Sequence, residues 1–139
     1  MDGNGIPGDV NQRVSIAHKI VERAEAIGIS RKDVIIDCLA FAVGANTEAG
    51  LVVIEAICRI KAESVVNLTL VVSNISFGLP DRSLLNNVFL TIAIAMGVNC
   101  PIVDIAKIRK SVLATDLILN RDRYAKRYVK TYQKRQDTG

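Results

Sequence analysis

Three apolar runs each stop at polar side chains that could do chemistry. Val34-Ile35-Ile36 ends in Asp37, the run from Leu68 ends in Ser73-Asn74, and Pro101-Ile102-Val103 ends in Asp104. A carboxylate that closes an apolar run needs partners. Paired N–H donors on an amidine-like edge, as in an aminopyrimidinone ring, would suit Asp37. Asn74 carries an amide that both donates and accepts. Each residue also has a plainer role: Asp37 and Asp104 as strand-end residues capping a loop, Asn74 as a turn former. Other chemistries are excluded. His18 is the only histidine and sits mid-helix, so neither a His-based metal site nor a Ser-His-Asp triad can be assembled. There is no Walker A and no G-x-G-x-x-G, and Gly3-Asn4-Gly5 is too short to stand for one. The three cysteines, Cys38, Cys58 and Cys100, are widely spaced and form no C-x-x-C. Zinc and a disulfide framework are therefore not expected, and reduced thiols in a cytoplasmic protein are.

The elements that must position these groups follow from hydrophobic period. Asp9 is placed to N-cap a helix in which Val14, Ala17, Val21 and Ala24 recur at helical spacing, widened by Ile16, Ile20 and Ile27 and stopped by Gly28. Val34 to Asp37 reads as a buried parallel strand. A loop from Cys38 to Asn46 precedes a second helix from Thr47-Glu48 to about Ala62, its turns marked by Leu51, Ile54, Ile57 and Lys61. Leu68 to Ser73 is the next strand. Gly78 and Pro80 break the chain before a third helix over Arg82–Met96, closed by Gly97. Pro101 to Asp104 is a third short strand, and the rest is helical with a break near Asn120.

Strands thus begin near 34, 68 and 101, about every 33 residues, which is the signature of βα repeats and a parallel sheet. A (β/α)8 barrel takes about 250 residues, roughly 31 per unit. The 139 residues here hold three full units behind a loop and a helix. The expected fold is α/β: parallel βα repeats forming the C-terminal half of a TIM barrel, with functional residues at the C-terminal ends of the strands. A small three-layer α/β domain is the alternative, but its two sheet edges would need cover.

Composition bounds the partners. Half the residues are hydrophobic, aromatics are 4% and Trp is absent, so the core is aliphatic. Mean hydropathy is +0.27, yet no window approaches the ~18 apolar residues of a spanning helix. Met1-Asp2-Gly3-Asn4 lacks the basic residues of a secretory leader. Residues 1–104 carry net charge −3 and residues 105–139 net +7. That basic tail (Arg121, Arg123, Lys126, Arg127, Lys130, Lys134, Arg135) suits an anionic partner, with Tyr124, Tyr128 and Tyr132 at i, i+4, i+8 on one helical face. A solvated helix whose tyrosines pack it onto the fold is the favoured account, and nucleic-acid binding is disfavoured.

The segment Val72-Ser73-Asn74-Ile75-Ser76-Phe77-Gly78-Leu79-Pro80-Asp81-Arg82, followed by Leu85-Asn86 and Phe89-Leu90, resembles the pterin-binding domain of methyltetrahydrofolate:corrinoid methyltransferases, which includes the folate domain of cobalamin-dependent methionine synthase. Met1-Asp2, Gly5-Ile6-Pro7, Arg13, Ile16-Ala17, Asp33 to Leu39, Gly44-Ala45, Ala49-Gly50 and Glu55-Ala56 agree in order and spacing. The resemblance runs to about residue 133 but covers only the second half of the family's barrel. Residues 1–139 are thus expected to form a partial pterin-binding domain with a basic terminal helix near 121–135.

That resemblance implies methyl transfer between N5 of methyltetrahydrofolate and the cobalt of a corrinoid, with the pterin in the barrel mouth. It assigns the N5 contact to Asn74 and the pterin edge to Asp37 and matches the motif's arginine at Arg82, which with Ser73 and Asp104, taken from their place at strand ends, completes the substrate-binding candidates. It implies no metal held by the chain itself, a corrinoid (cobalamin) carried by a partner protein, and either a homo-oligomer or a partner chain to complete the barrel. A non-catalytic truncated fragment serving pterin binding or assembly is the alternative. Val71, Cys38 and Ile105 stand where the family commonly has Gly, Pro and Pro. Dihydropteroate synthases share the fold but build the corresponding loop around a Lys, which Asn74–Arg82 lacks.

Overall fold

The computed structural model describes the backbone of residues 7–136 and side chains as far as residue 133. The Met1-Asp2 and Gly5-Ile6 matches, Gly3-Asn4-Gly5, and the side chains of Lys134 and Arg135 lie outside the described residues. The chain divides into two compact units, Met1–Val103 and Asp104–Gly139.

In the first unit, Asp9 caps helix α1 (Val10–Ala26) by accepting from the Gln12 amide at 3.0 Å. Val14, Ala17 and Val21 form its buried stripe as their spacing requires, whereas Ile20 and Ile27 are exposed. Strand β1 (Ile35–Asp37) pairs in parallel with β2 (Asn67–Thr69), Ile36 opposite Leu68. Helix α2 (Ala49–Glu63) joins them and packs against both α1 and α3 (Arg82–Met96). Its buried face is Ala49, Val53, Ala56, Ile57 and Ile60, so the stripe expected through Leu51 and Lys61 is displaced and Leu51 is exposed. Small Ala49 and Ala56 let the helix sit close, a choice that the search for large residues overlooks.

The expected second and third strands are shorter than their apolar runs. Pairing beyond Thr69 shrinks to a single parallel bridge between Val71 and Ile102, and a 3-10 turn takes over at Val72–Asn74. The Pro101–Asp104 run supplies only that bridge. Before that bridge the Asn99 side chain stands in for backbone pairing, accepting from the Leu68 amide at 2.9 Å and donating to Asn67 Oδ1 at 2.8 Å. The alignment is still parallel, with the Ile102 amide donating to Leu70 O at 2.9 Å. The unit is therefore α/β with few, short, parallel strands.

Leu68, Leu70, Ile57 and Leu90 are wholly or almost wholly buried at its centre, each contributing about 2–3 kcal/mol of apolar burial. The α3 terminus depends on Gly97, whose φ is +130° and where a Cβ would meet Lys61 Cγ at 2.6 Å. No other residue fits that close approach.

The second unit holds α4 (Ile105–Ile118) and α5 (Lys126–Gln136), separated by a turn in which Asn120 has φ +57°. The break expected near Asn120 is therefore present. Tyr124 is not on the helical face proposed for it: it precedes α5 in a 3-10 turn with φ +58°. Tyr128 and Tyr132 remain one helical turn apart and their rings meet at a tilt of 45°, centroids 5.0 Å apart. No helix of the described residues is long and apolar enough to cross a membrane.

Candidate functional site

Asp37 closes β1 with its side chain exposed, not buried as its apolar run suggests. One carboxylate oxygen, Oδ1, accepts from the Leu39 amide at 2.9 Å. This short turn holds Leu39 at φ +51°, a conformation that a β-carbon disfavours. Beneath it lies Arg13 from α1, only 7% exposed. One Arg13 Nη donates to both Cys38 O (2.9 Å) and Leu39 O (3.0 Å), and its Nε donates to Pro7 O at 3.2 Å. The guanidinium lies 5.2 Å from the Phe41 ring centroid, an arrangement that supports a desolvated cation. Burial pulls the Arg13 pKa down, and Cys38 and Asp9 pull it back up. It stays charged nonetheless. The adjacent Cys38 thiol is pushed up to about 12, by burial first and by Asp37 second.

The segment after β2 is organised from within. Ser73 and Asn74 lie on the 3-10 turn and are exposed, so both sit just past the last strand pairing, not at a strand end. Arg82, the first residue of α3, reaches back across the loop. Its Nη donates to Ser73 O at 2.8 Å and its Nε to Ser76 Oγ at 3.2 Å. Ser76 is fully buried and its hydroxyl donates to Asn86 Oδ1 at 2.7 Å. Asp81 adopts φ +43° and caps α3 by accepting from the Leu84 amide. Two donors of Arg82 are thus committed to the loop's own atoms. Phe77 is 70% exposed, with the Arg82 guanidinium 5.9 Å from its ring centroid.

The two loops touch. The Val43 amide donates to Ile75 O at 3.0 Å, and Gly44 lies so close to Leu79 that a Cβ there would sit 3.1 Å from it. Because β1 and β2 are parallel, Asp37 and the Ser73–Asn74 turn leave the same end of the sheet. Asp37 also borders a groove of about 260 Å³ lined by Arg13, Ile16 and Ile20 of α1, Ile35 of β1, and Ala56 and Ile60 of α2. Asp104 belongs to the second unit. Its carboxylate caps α4 by accepting from the Ala106 amide at 3.1 Å and pairs with Lys107 at 3.3 Å. Among the described residues, no three His, Cys, Asp or Glu side chains are grouped to hold a metal. Sequence reasoning missed the partners of Arg13 and of Ser76. The one available signal for Arg13 was a charged residue set directly beside the apolar stripe at Val14 and Ala17.

The second unit has its own groove, about 960 Å³, bordered by Lys107, Arg109, Lys110, Arg127 and Lys130. Arg127 is already paired, at 2.9 Å to Asp116 and 3.7 Å to Asp122.

Comparison with known proteins gives three findings. The family model described as pterin binding enzyme matches residues 3–104. A methylcorrinoid:tetrahydrofolate methyltransferase of Eubacterium limosum is 30% identical over 137 residues, 95% of this chain and 50% of that protein. A methionine synthase of Mycobacterium leprae (strain TN) is 33% identical over 116 residues, 78% of this chain and 10% of that protein. The chain spans about half the length of the first relative and a tenth of the second.

Proposed function

The chain belongs to the pterin-binding enzyme family, and on that premise we propose that it carries the pterin site of a methyl transfer between N5 of methyltetrahydrofolate and a corrinoid, or the reverse. The observation that carries this reading is the Ser73–Arg82 loop. It leaves the amide of Asn74 exposed just past β2 while Arg82 and Ser76 tie down the backbone around it. A backbone fixed in that way presents the Asn74 side chain to a ligand from a set position.

In this reading Asp37 accepts two N–H groups from the amidine-like edge of the pterin, and Asn74 hydrogen-bonds N5. A neutral tertiary amine is a poor electrophilic site, because the departing nitrogen takes the electron pair of the breaking N–C bond. Hydrogen bonding at N5 stabilises that pair, and N5 takes its proton from solvent as the methyl leaves, since the Asn74 amide donates a hydrogen bond but gives up no proton. Help of this kind is worth about 10²–10⁴ in rate. A corrinoid brought by a partner protein supplies the cobalt nucleophile, or the methyl group when the reaction runs backwards. Ser73 and Arg82 contribute by shaping the turn that presents Asn74. Asp104 is left out of this reading, since its carboxylate is engaged at the start of α4. The reaction is taken to be cytoplasmic.

The reading extends to architecture. The parallel βα units of residues 7–103 form the second half of a (β/α)8 barrel, which another polypeptide segment or a second copy completes. A specific observation favours this, and equally favours the alternative of a non-catalytic pterin-binding or assembly fragment. β1 pairs only with β2 among the described residues. Ile35 is 57% exposed and borders the apolar groove, a surface that an isolated fold does not ordinarily leave in water.

Calorimetric titration of the chain with methyltetrahydrofolate tests the site. Asp37→Ala is expected to lose binding. Asn74→Ala is expected to bind within a fewfold of wild type while methyl transfer to a corrinoid protein falls about 100-fold. Binding unchanged in Asp37→Ala would sink the assignment. A folded chain that binds only after a polypeptide carrying the missing strands is added would favour the fragment.

A further inference from the structure

We propose that Arg13 is a positioning residue for the Asp37 carboxylate. The inference rests on the reading above for its functional meaning, but its geometry stands alone. Arg13 is buried, charged and has no carboxylate partner among the described residues. Its hydrogen bonds go instead to neutral carbonyls: Cys38 O, Leu39 O and Pro7 O. Burying a cation is costly; the charge of Asp9 offsets part of that cost, and the donors themselves are satisfied by the Pro7, Cys38 and Leu39 carbonyls.

What it does is visible in the order of bonds. Asp37 Oδ1 accepts from the Leu39 amide, and the carbonyls on either side of that amide, Cys38 O and Leu39 O, are both taken by one Arg13 nitrogen. The peptide that orients the carboxylate is therefore gripped through its own carbonyl, Cys38 O, and the following peptide through Leu39 O. Leu39 is held at φ +51°, which a leucine does not choose by itself. If Arg13 releases the carbonyls, Leu39 can return to the ordinary β region, and its amide then swings away from Asp37. The Phe41 ring, 5.2 Å from the guanidinium, fixes the cation sideways. Arg13 thus sets how the carboxylate is presented: Oδ1 is shared between the turn and a ligand, and Oδ2 is open to one. It reaches this turn from 25 residues upstream, on a different element.

Amide hydrogen exchange of the ¹⁵N-labelled chain tests this without any ligand. The reporter is the Leu39 amide. The control is the Ala106 amide, which is bound to Asp104 by the same kind of side-chain-to-amide bond in the other unit. In Arg13→Met, Leu39 is expected to exchange about tenfold faster and Ala106 to be unchanged, and Arg13→Lys, which keeps a charged donor, is expected to restore part of the protection. Unchanged Leu39, or equal acceleration of both amides, would overturn the proposal. Should Arg13→Met fail to fold, Arg13→Gln fills the site with a shorter donor and is judged by the same two amides. Methyltetrahydrofolate titration then separates this inference from the site assignment. If Asp37 is the pterin ligand, Arg13→Met weakens binding about tenfold and Arg13→Lys recovers part of it. If Asp37→Ala binds normally, the site assignment fails while the exchange result still decides the role of Arg13.

Discussion

The turn that carries Asp37 and the loop that carries Asn74 leave the same end of the same pair of strands, yet they are held in opposite ways. The Asn74 loop is held by residues of its own segment: Arg82 binds Ser73 O and Ser76 Oγ, and Ser76 binds Asn86. The Asp37 turn is held from outside, by a buried arginine on α1. A self-contained loop needs its residue types at fixed spacing and so leaves a dense motif in the chain. A turn clamped from elsewhere leaves almost nothing, because its partner is set by the packing of α1 and not by nearby spacing.

The largest effect expected from this contrast concerns Cys38, which lies inside the externally clamped turn. With its thiol pushed up to about 12 by burial, Cys38 should react with a thiol reagent near pH 8 about 10³-fold more slowly than exposed Cys58 and Cys100. A Cys58→Ser/Cys100→Ser variant isolates it, and adding Arg13→Met is expected to open the turn and speed its labelling. The sign of its stability effect follows from the raised pKa. Its contribution is whole below the ordinary thiol pKa and is lost as pH rises from there towards 12, since the unfolded chain ionises first.

Next in size is the inner clamp. Arg82→Met removes two charged donors and leaves the fully buried Ser76 hydroxyl with fewer partners. A loss of about 2 kcal/mol by denaturant titration is expected, with Leu39 exchange unaffected, because the two turns have separate clamps. A change at Leu39 would mean that the loops act as one unit. Gly44→Ala tests their junction directly. Its Cβ would sit 3.1 Å from Leu79, so a cost of about 1 kcal/mol is expected as Leu79 gives way.

The smallest effect lies in the second unit, as a counterpart to the first. Asp122 accepts from the Arg127 and Tyr128 amides at the start of α5. These bonds, the Arg127 amide first, hold its carboxyl below the usual range. The contribution is present above the ordinary carboxylate pKa of about 3.9 and is lost as pH falls through the lowered value. Acid titration followed at the Arg127 and Tyr128 amides should show α5 fraying at its start first, and Asp122→Asn should weaken this dependence.

Much was legible in the chain. The ends of α3 at Arg82 and Gly97, the Asp9 cap and the parallel βα order follow from capping chemistry and period, which act over a few residues. The Ser73–Arg82 segment was legible for the same reason: its chemistry is local. Strand lengths were not. Apolar character persists through Val71-Val72, but an apolar run does not record where the backbone leaves the ladder: it turns at Val72–Asn74, just past the Val71–Ile102 bridge. The buried face of α2 was misjudged because small alanines, not the large Leu51, make the close contacts.

By itself the sequence determined which polar residues stand at the ends of apolar runs and which segments are helices, since those depend on covalent order and local hydrogen bonding. Only the tertiary structure decided how the groups are aimed. It turned Asp37 outward, bound Arg82 to its own loop, engaged Asp104 at a helix start, and placed Arg13 under a turn 25 residues away. The reason is physical: a buried charge takes whatever acceptors packing brings within about 3 Å, and no spacing rule in the chain records that distance.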